Sequence, residues 1–294
     1  MTEILLLANP ECNHGRSRDR VFRVNDLLHD RGILLNLLRI TGSAEEVEEE
    51  ARNAAHRRIP LVVVCGGDGT VHYAVNGLAG TDTVMAILPC GRGNDLARVL
   101  GIPKDPVEAI DVALRGVTRP IALGRAGNRY FVTVATLGFD SAVAAEAARP
   151  HPGIPMRLDY IYSLLRSLIR YQCPKVRLSG DFGSYEGKVF LCATGNTSHY
   201  GGGMKILPDA RPEIASLEIC LIKALPRLKA AILFPTVFRG THIRFREVEI
   251  FSTKSVDISS DYPLPIYADG EPVGETPIRL EIVPDSLKVR IPSE

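Results

Sequence analysis

The chain has 294 residues, 45% of them hydrophobic and 23% charged, which allows a large core and excludes a disordered chain. Its 35 Lys and Arg nearly balance 34 Asp and Glu, for a formal charge of +1, and this argues against a strongly basic nucleic-acid binder. Six cysteines (Cys12, Cys65, Cys90, Cys173, Cys192 and Cys220) lack any paired metal-ligand spacing. They read as reduced, half-buried thiols of a cytoplasmic protein. The apolar run 4–8 is too short for a signal sequence and has no basic flank. The later apolar stretch 224–238 is interrupted by Pro226, Arg227, Lys229 and Pro235, so no segment reaches the ~20 apolar residues of a membrane span.

In chain order, residues 4–8 form a continuous apolar run that ends at Asn9-Pro10, as a strand buried on both faces would. Val21, Val24, Leu27 and Leu28 predict a helix over 17–31, and 33–40 reads as a second strand. Ser43 stands three residues before Glu46 in a capping-box spacing, followed by a Glu-rich first turn. Residues 61–65 and 84–88 are two further buried strands, each followed by a glycine-bearing loop and a helical pattern. Strand, loop and helix in repetition predict a parallel sheet with its ligand site beyond the carboxyl ends of the strands. After about residue 120 the texture changes. Short β-rich runs at 129–136, 188–194, 217–222, 247–251, 255–258, 278–282 and 287–291 predict a largely antiparallel second domain. Helices are expected at 140–148, 156–171 and 227–238. The predicted class is α/β: an α/β nucleotide domain over 1–120 and a β-sandwich domain over 121–294, with the boundary near 117–122.

The strongest local signal is Gly66-Gly67-Asp68-Gly69-Thr70. Three glycines in five residues after a Val-rich strand bring backbone N–H groups close to an anion, and a helix N-terminus follows. Asp68 would repel phosphate directly; its expected work is to orient loop N–H groups or to hold Mg²⁺ or its waters. Neither the P-loop ending nor the dinucleotide-binding spacing is present. From the residues alone, a phosphate-bearing ligand binds here.

The motifs in order resemble the diacylglycerol kinase catalytic family, which includes sphingosine kinases, ceramide kinases and bacterial soluble lipid kinases. The resemblance runs through Asn9-Pro10 with Gly15, the Gly66–Thr70 loop, and the stretch from Pro89 through Gly91, Arg92, Gly93, Asn94 and Asp95 to Arg98. It continues through Gly138-Phe139-Asp140, Tyr200-Gly201-Gly202-Gly203-Met204 and Asp269-Gly270-Glu271. It implies a β-sandwich domain joined to the α/β domain with ATP in the cleft between them, and Mg²⁺-assisted transfer of the γ-phosphoryl group to a lipid hydroxyl. The implied ATP contacts are Asn9, Pro10, Thr41, Gly66, Gly67, Asp68, Gly69, Thr70, Gly91, Arg92 and Asn94. On the acceptor side it implies Glu271 as the proton acceptor, with Asp269 as helper or alternative base. Two carboxylates so close can push their pKa values apart. A lipid substrate makes the chain a transient, peripheral visitor to the membrane, and homo-oligomerisation stays open.

His72 and His199 read as polar surface histidines. The amphipathic stretch 225–239 reads first as packing against the β-domain and second as membrane contact. Two departures from the family pattern stand out. Arg92 replaces a threonine, giving either a cation for phosphate or a block in the cleft. A structural magnesium site known in bacterial relatives would map near Arg211, Ile214 and Ser216, and isoleucine cannot ligate a hard cation. Two other readings compete: a kinase for a non-lipid acceptor such as NAD, and a non-catalytic nucleotide- or lipid-binding relative.

Overall fold

The computed structural model describes residues 3–8, 23–24, 26–27, 37–40, 43–147, 149–151 and 156–293. The first layer is a parallel sheet in the order β2-β1-β3-β4, built from β1 (Ile4–Ala8), β2 (Leu37–Ile40), β3 (Leu61–Gly66) and β4 (Val84–Pro89). Every residue of β1 and β3 is buried, which is why these strands are unbroken Val/Leu/Ile runs instead of alternating ones. Helix α1 (Ala44–His56) starts where expected: the Ser43 hydroxyl accepts the Glu46 N–H at 3.3 Å. Helices α2 (Asp68–Leu78) and α3 (Asp95–Val99) follow β3 and β4 directly. Helix α4 (Pro106–Arg115) is capped by Asp105, which accepts the N–H groups of Val107 and Glu108. The predicted helix over 17–31 is described only at 23–24 and 26–27, which are helical, and of the strand predicted over 33–40 only 37–40 is described.

The second half contains β5 (Val117–Ala126), β6 (Arg129–Phe131), β7 (Val134–Gly138), α5 (Phe139–Ala147), α6 (Met156–Arg170), β8 (Lys175–Gly180) and β9 (Gly183–Gly195). It continues through β10 (Leu217–Lys223), α7 (Arg227–Val237), a 3-10 turn at Thr241–Arg244 and β11 (Val248–Thr253). The chain ends in β12 (Ser255–Ser260), β13 (Pro265–Ala268), β14 (Glu271–Glu275) and β15 (Ile278–Ile291). Strands β8, β12 and β15 form one antiparallel layer, and β11, β10, the second half of β9, β7, β13 and β14 form the other. Val176, Leu178, Val256 and Leu280 from the first meet Leu137, Ile219, Leu221 and Ile266 from the second in one sandwich core.

Two pairings were not legible beforehand. Residues 278–282 and 287–291, read as separate strands, are one strand with a register shift between Val283 and Leu287. Its first half lies in the sandwich beside β12, and its second half runs parallel to β4, so Leu287, Val289 and Ile291 complete the first core. The expected boundary at 117–122 falls inside β5, which pairs with β15 along its length. Among the described residues no helix is long and apolar enough to cross a membrane.

Candidate functional site

Two loops meet at the carboxyl ends of β3 and β4. The Cys90 N–H donates to the Gly66 carbonyl at 2.9 Å, which draws the loops together. A Cβ on Gly91 would stand 2.5 Å from the Gly67 Cα, so neither backbone leaves room for a side chain on the other. Gly91→Ala is expected to destabilise the protein by about 1–3 kcal/mol through this overpacking, read as a lower denaturant midpoint with an unchanged slope. Gly67 caps α2 with no side chain, leaving the first-turn N–H groups to an anion.

Asp68 does the orienting work expected of it. Its two carboxylate oxygens accept the N–H groups of Asn94 at 2.8 Å and Asp95 at 2.7 Å. Burial pushes the Asp68 pKa up, against the pull of those two N–H groups. Asn94, in the left-handed region at φ 51°, closes its own loop: it accepts from the Gly91 N–H at 2.9 Å and donates back to the Gly91 carbonyl at 2.8 Å. Asp95 is buried, pairs with Arg98 at 2.7 Å, and accepts the Gly202 N–H at 2.8 Å. Gly202 sits at φ 84° between two further positive-φ glycines, a turn that lets the second half of the chain lay its backbone against the first.

The Asp269 turn approaches from the opposite side. The run predicted over 129–136 breaks between β6 and β7, which frees the Val132 and Thr133 N–H groups for the Asp269 carboxylate at 2.9 and 2.8 Å. The Thr133 hydroxyl adds a third donor at 2.5 Å, and His72 Nδ1 lies 2.9 Å away. The His72 and Asp269 side chains are only 1% and 2% exposed. His72 is therefore buried, contrary to the expectation of a surface histidine, because a carboxylate inside the protein needs its donor. Burial alone would raise the Asp269 pKa; His72, Thr133 and Val132 outweigh it and hold the carboxyl below its ordinary value. Asp269 borders the cleft with both carboxylate oxygens already held by four donors.

Glu271 begins β14. Its Oε1 lies so close over the phosphate loop that a Cβ on Gly69 would stand 3.1 Å from it, and the Tyr73 hydroxyl donates to its Oε2 at 3.4 Å. The cleft beside these loops has a volume of about 530 Å³ and is lined by Asp68, Arg92, Asp95, Asp140, Tyr200 and Tyr267 among others. Arg92 is exposed and forms part of that wall. A second cavity of about 200 Å³, walled by Phe139, Leu164, Leu168, Phe190, Leu233 and Phe234, shares Asp140, Tyr200 and Met204 with the cleft. Burial raises the Asp140 pKa against the opposing hydrogen bond from Tyr200. Asp140 belongs to the Gly138-Phe139-Asp140 motif, and its place where the cleft and the apolar cavity share a wall depends on the packing of α5 against α6.

Asn9, Pro10, Gly15 and Thr41 lie outside the described residues. Thr70 is buried against Gly66. His199 is half-buried, and burial followed by the Arg98 and Lys205 charges lowers its pKa. Of the positions mapped to a structural metal, Ile214 is 53% exposed and Ser216 is 2.7 Å from the Ser252 hydroxyl. Among the described residues no group of three His, Cys, Asp or Glu is placed to hold a metal on its own.

Residues 3–126 match the diacylglycerol kinase catalytic domain, and residues 133–291 match the YegS C-terminal NAD kinase beta sandwich-like domain. A diacylglycerol kinase of Mycobacterium tuberculosis is 34% identical over 301 residues, covering 99% of this chain and 95% of its own length. A diacylglycerol kinase of Staphylococcus carnosus is 27% identical over 256 residues, 86% of this chain and 84% of that one. The crystal structure of a diacylglycerol kinase from Bacillus anthracis str. Sterne shares the fold at a TM-score of 0.73 with 20% identity, covering 99% of this chain and 97% of that one. With its two matched domains, paired glycine loops and Asp269–Glu271 turn, the chain belongs to the diacylglycerol kinase catalytic family.

Proposed function

We propose that the protein transfers the γ-phosphoryl group of ATP to the hydroxyl group of a diacylglycerol- or sphingoid-like lipid. The observation that carries this reading is the adjacency of two spaces. A cleft flanked by the phosphate-type loops shares Asp140, Tyr200 and Met204 with an apolar cavity suited to a hydrocarbon chain. The names of the relatives, diacylglycerol kinases, point the same way.

In this reading the N-terminal turn of α2 and the Gly91–Asn94 loop bind the triphosphate, and Arg92 on the cleft wall balances its charge. Asp140 and Tyr200 orient the acceptor hydroxyl where the apolar chain enters. The hydroxyl oxygen bonds to the γ-phosphorus, the bond to the β–γ bridging oxygen breaks, ADP leaves, and Glu271 takes the hydroxyl proton. Asp68 and Asp95 are the carboxylates that would meet Mg²⁺ carried by the nucleotide, which supplies charge neutralisation. Helix α7 serves packing and surface at once: Ala230, Leu233 and Val237 are buried, while Leu228 is 76% and Ile232 57% exposed. Residues 225–246 also carry Arg227, Arg239 and Arg244, with Lys229 and Arg246 held by Glu247 at 2.7 and 2.8 Å, a basic rim that favours an anionic lipid surface.

The test is transfer of γ-labelled phosphate from ATP, with Mg²⁺, to mixed micelles containing diacylglycerol, a sphingoid base or phosphatidylglycerol. A labelled organic-phase product is expected, with kcat/KM falling about tenfold or more when the acceptor chains are shortened by several methylenes. Label transferred to NAD, or nucleotide bound with no acceptor phosphorylated, would overturn the lipid reading.

A further inference from the structure

We propose that His72 is a positioning residue for the transfer step: it registers the Glu271 turn against the phosphate loop by holding Asp269. The inference rests on the function proposed above and assigns work to a side chain that the catalytic motifs do not include.

Helix α2 carries the phosphate loop at its start and His72 one turn later, and it faces the second domain with three side chains in succession. His72 reaches Asp269 at 2.9 Å, and Tyr73 reaches Glu271 at 3.4 Å. Asn76 exchanges two 2.9 Å hydrogen bonds with the Tyr130 backbone. Asp269 and Glu271 flank Gly270, and Asp269 and Gly270 hold φ of 54° and 91°, a turn whose left-handed aspartate is costly unless its surroundings impose it. Three of the four donors to Asp269 come from Val132 and Thr133, in the same half of the chain as the turn itself. They fix the turn's shape, and the Asn76–Tyr130 bonds hold that backbone near α2. His72 is the one donor to Asp269 among these that belongs to α2, so it ties the turn directly to the helix that carries Gly69.

The ring is suited to this task. Nδ1 donates to an ionised carboxylate. Nε2 faces the Asn76 side-chain nitrogen at 3.5 Å, whose hydrogens already serve the carbonyls of His72 and Tyr130. That arrangement selects the Nδ1–H tautomer. A donor at the Nδ1 position is what the site requires, and an asparagine side chain places its nitrogen at nearly the same point.

The experiment compares His72→Asn, which keeps the donor, with His72→Leu, which removes it, each alone and combined with Glu271→Gln. His72→Leu is expected to lower kcat by about 10–100-fold with KM for nucleotide within about twofold, the signature of lost orientation and not lost binding. His72→Asn should recover most of that loss, and adding His72→Leu to Glu271→Gln should cost little more. Equal losses in the two single variants, a change confined to KM, or full additivity with Glu271→Gln would overturn the proposal. Amide hydrogen exchange over 266–275 provides a readout independent of activity and should accelerate in His72→Leu but not in His72→Asn. Unchanged exchange in both variants also overturns the clamp. If the wild-type protein phosphorylates no lipid, the function proposal fails and the exchange arm still decides the clamp. If His72→Leu does not fold, Thr133→Val takes its place. It removes a donor from the turn's own half, and a registering role for His72 then requires a smaller kcat loss from Thr133→Val than from His72→Gln, which displaces the α2 donor.

Discussion

Glu271→Gln is expected to lower kcat by about 10²–10⁴-fold, the range of a lost general base, while nucleotide binding and thermal stability stay near wild type. The substitution keeps the side chain's size and its approach to Gly69 and Tyr73, and it removes the negative charge and with it the capacity to take a proton. Among the described residues Asp269 accepts four donors, whereas Glu271 receives the long 3.4 Å hydrogen bond from Tyr73. That difference is why the proposed mechanism gives the hydroxyl proton to Glu271. Single-turnover kinetics beside equilibrium nucleotide binding provides the check. Turnover reduced less than about tenfold would move the base elsewhere, with Asp140, which lines the cleft, the next candidate.

Asp269→Asn is expected to have the largest effect on stability, a loss of about 3 kcal/mol, because a buried donor left unmet costs about 1–3 kcal/mol and the charge-assisted hydrogen bonds to the carboxylate are lost as well. The amide can accept at one end only; its NH₂ would face N–H groups of Val132, Thr133 or His72, donor against donor. The pH dependence has a definite sign. The folded-state pKa of Asp269 is lowered from its ordinary 3.8, so the native state binds fewer protons there than the unfolded chain. The stabilisation is complete above the unfolded value and disappears as pH falls through the folded one. The gap between wild type and variant should therefore be constant from about pH 7 to pH 5 and narrow only below the ordinary aspartate range. A gap that widens on acidification would refute the ionised carboxylate.

The pair and the turn separate what the residues announced from what they concealed. The glycine loop after β3, the loop after β4 and the late Asp-Gly-Glu turn were legible because each depends on local backbone chemistry: apolar runs, positive φ and helix starts. The parallel order of the first sheet followed from the same local repetition. His72, by contrast, sits in an ordinary helical stretch whose spacing gives no sign of a partner 197 residues away. Asp140 was visible as a motif, yet its position between the cleft and an apolar cavity depends on α5, α6 and α7 packing together. Residues 278–282 and 287–291 read as two strands because Pro284 and Asp285 look like a turn; the ladder with β5 continues past them by a shift in register.

The sequence by itself determined the class of the fold, the family, the two phosphate-type loops and the turn that carries Glu271, all of which arise from short-range patterns. Only the tertiary structure decided which carboxylate of that turn is held by buried donors, that the last strand completes the first sheet, and that a histidine links the two halves. Those outcomes depend on which donors burial brings to each acceptor, and a buried carboxylate takes its partners from whatever the fold places beside it, however distant in the chain.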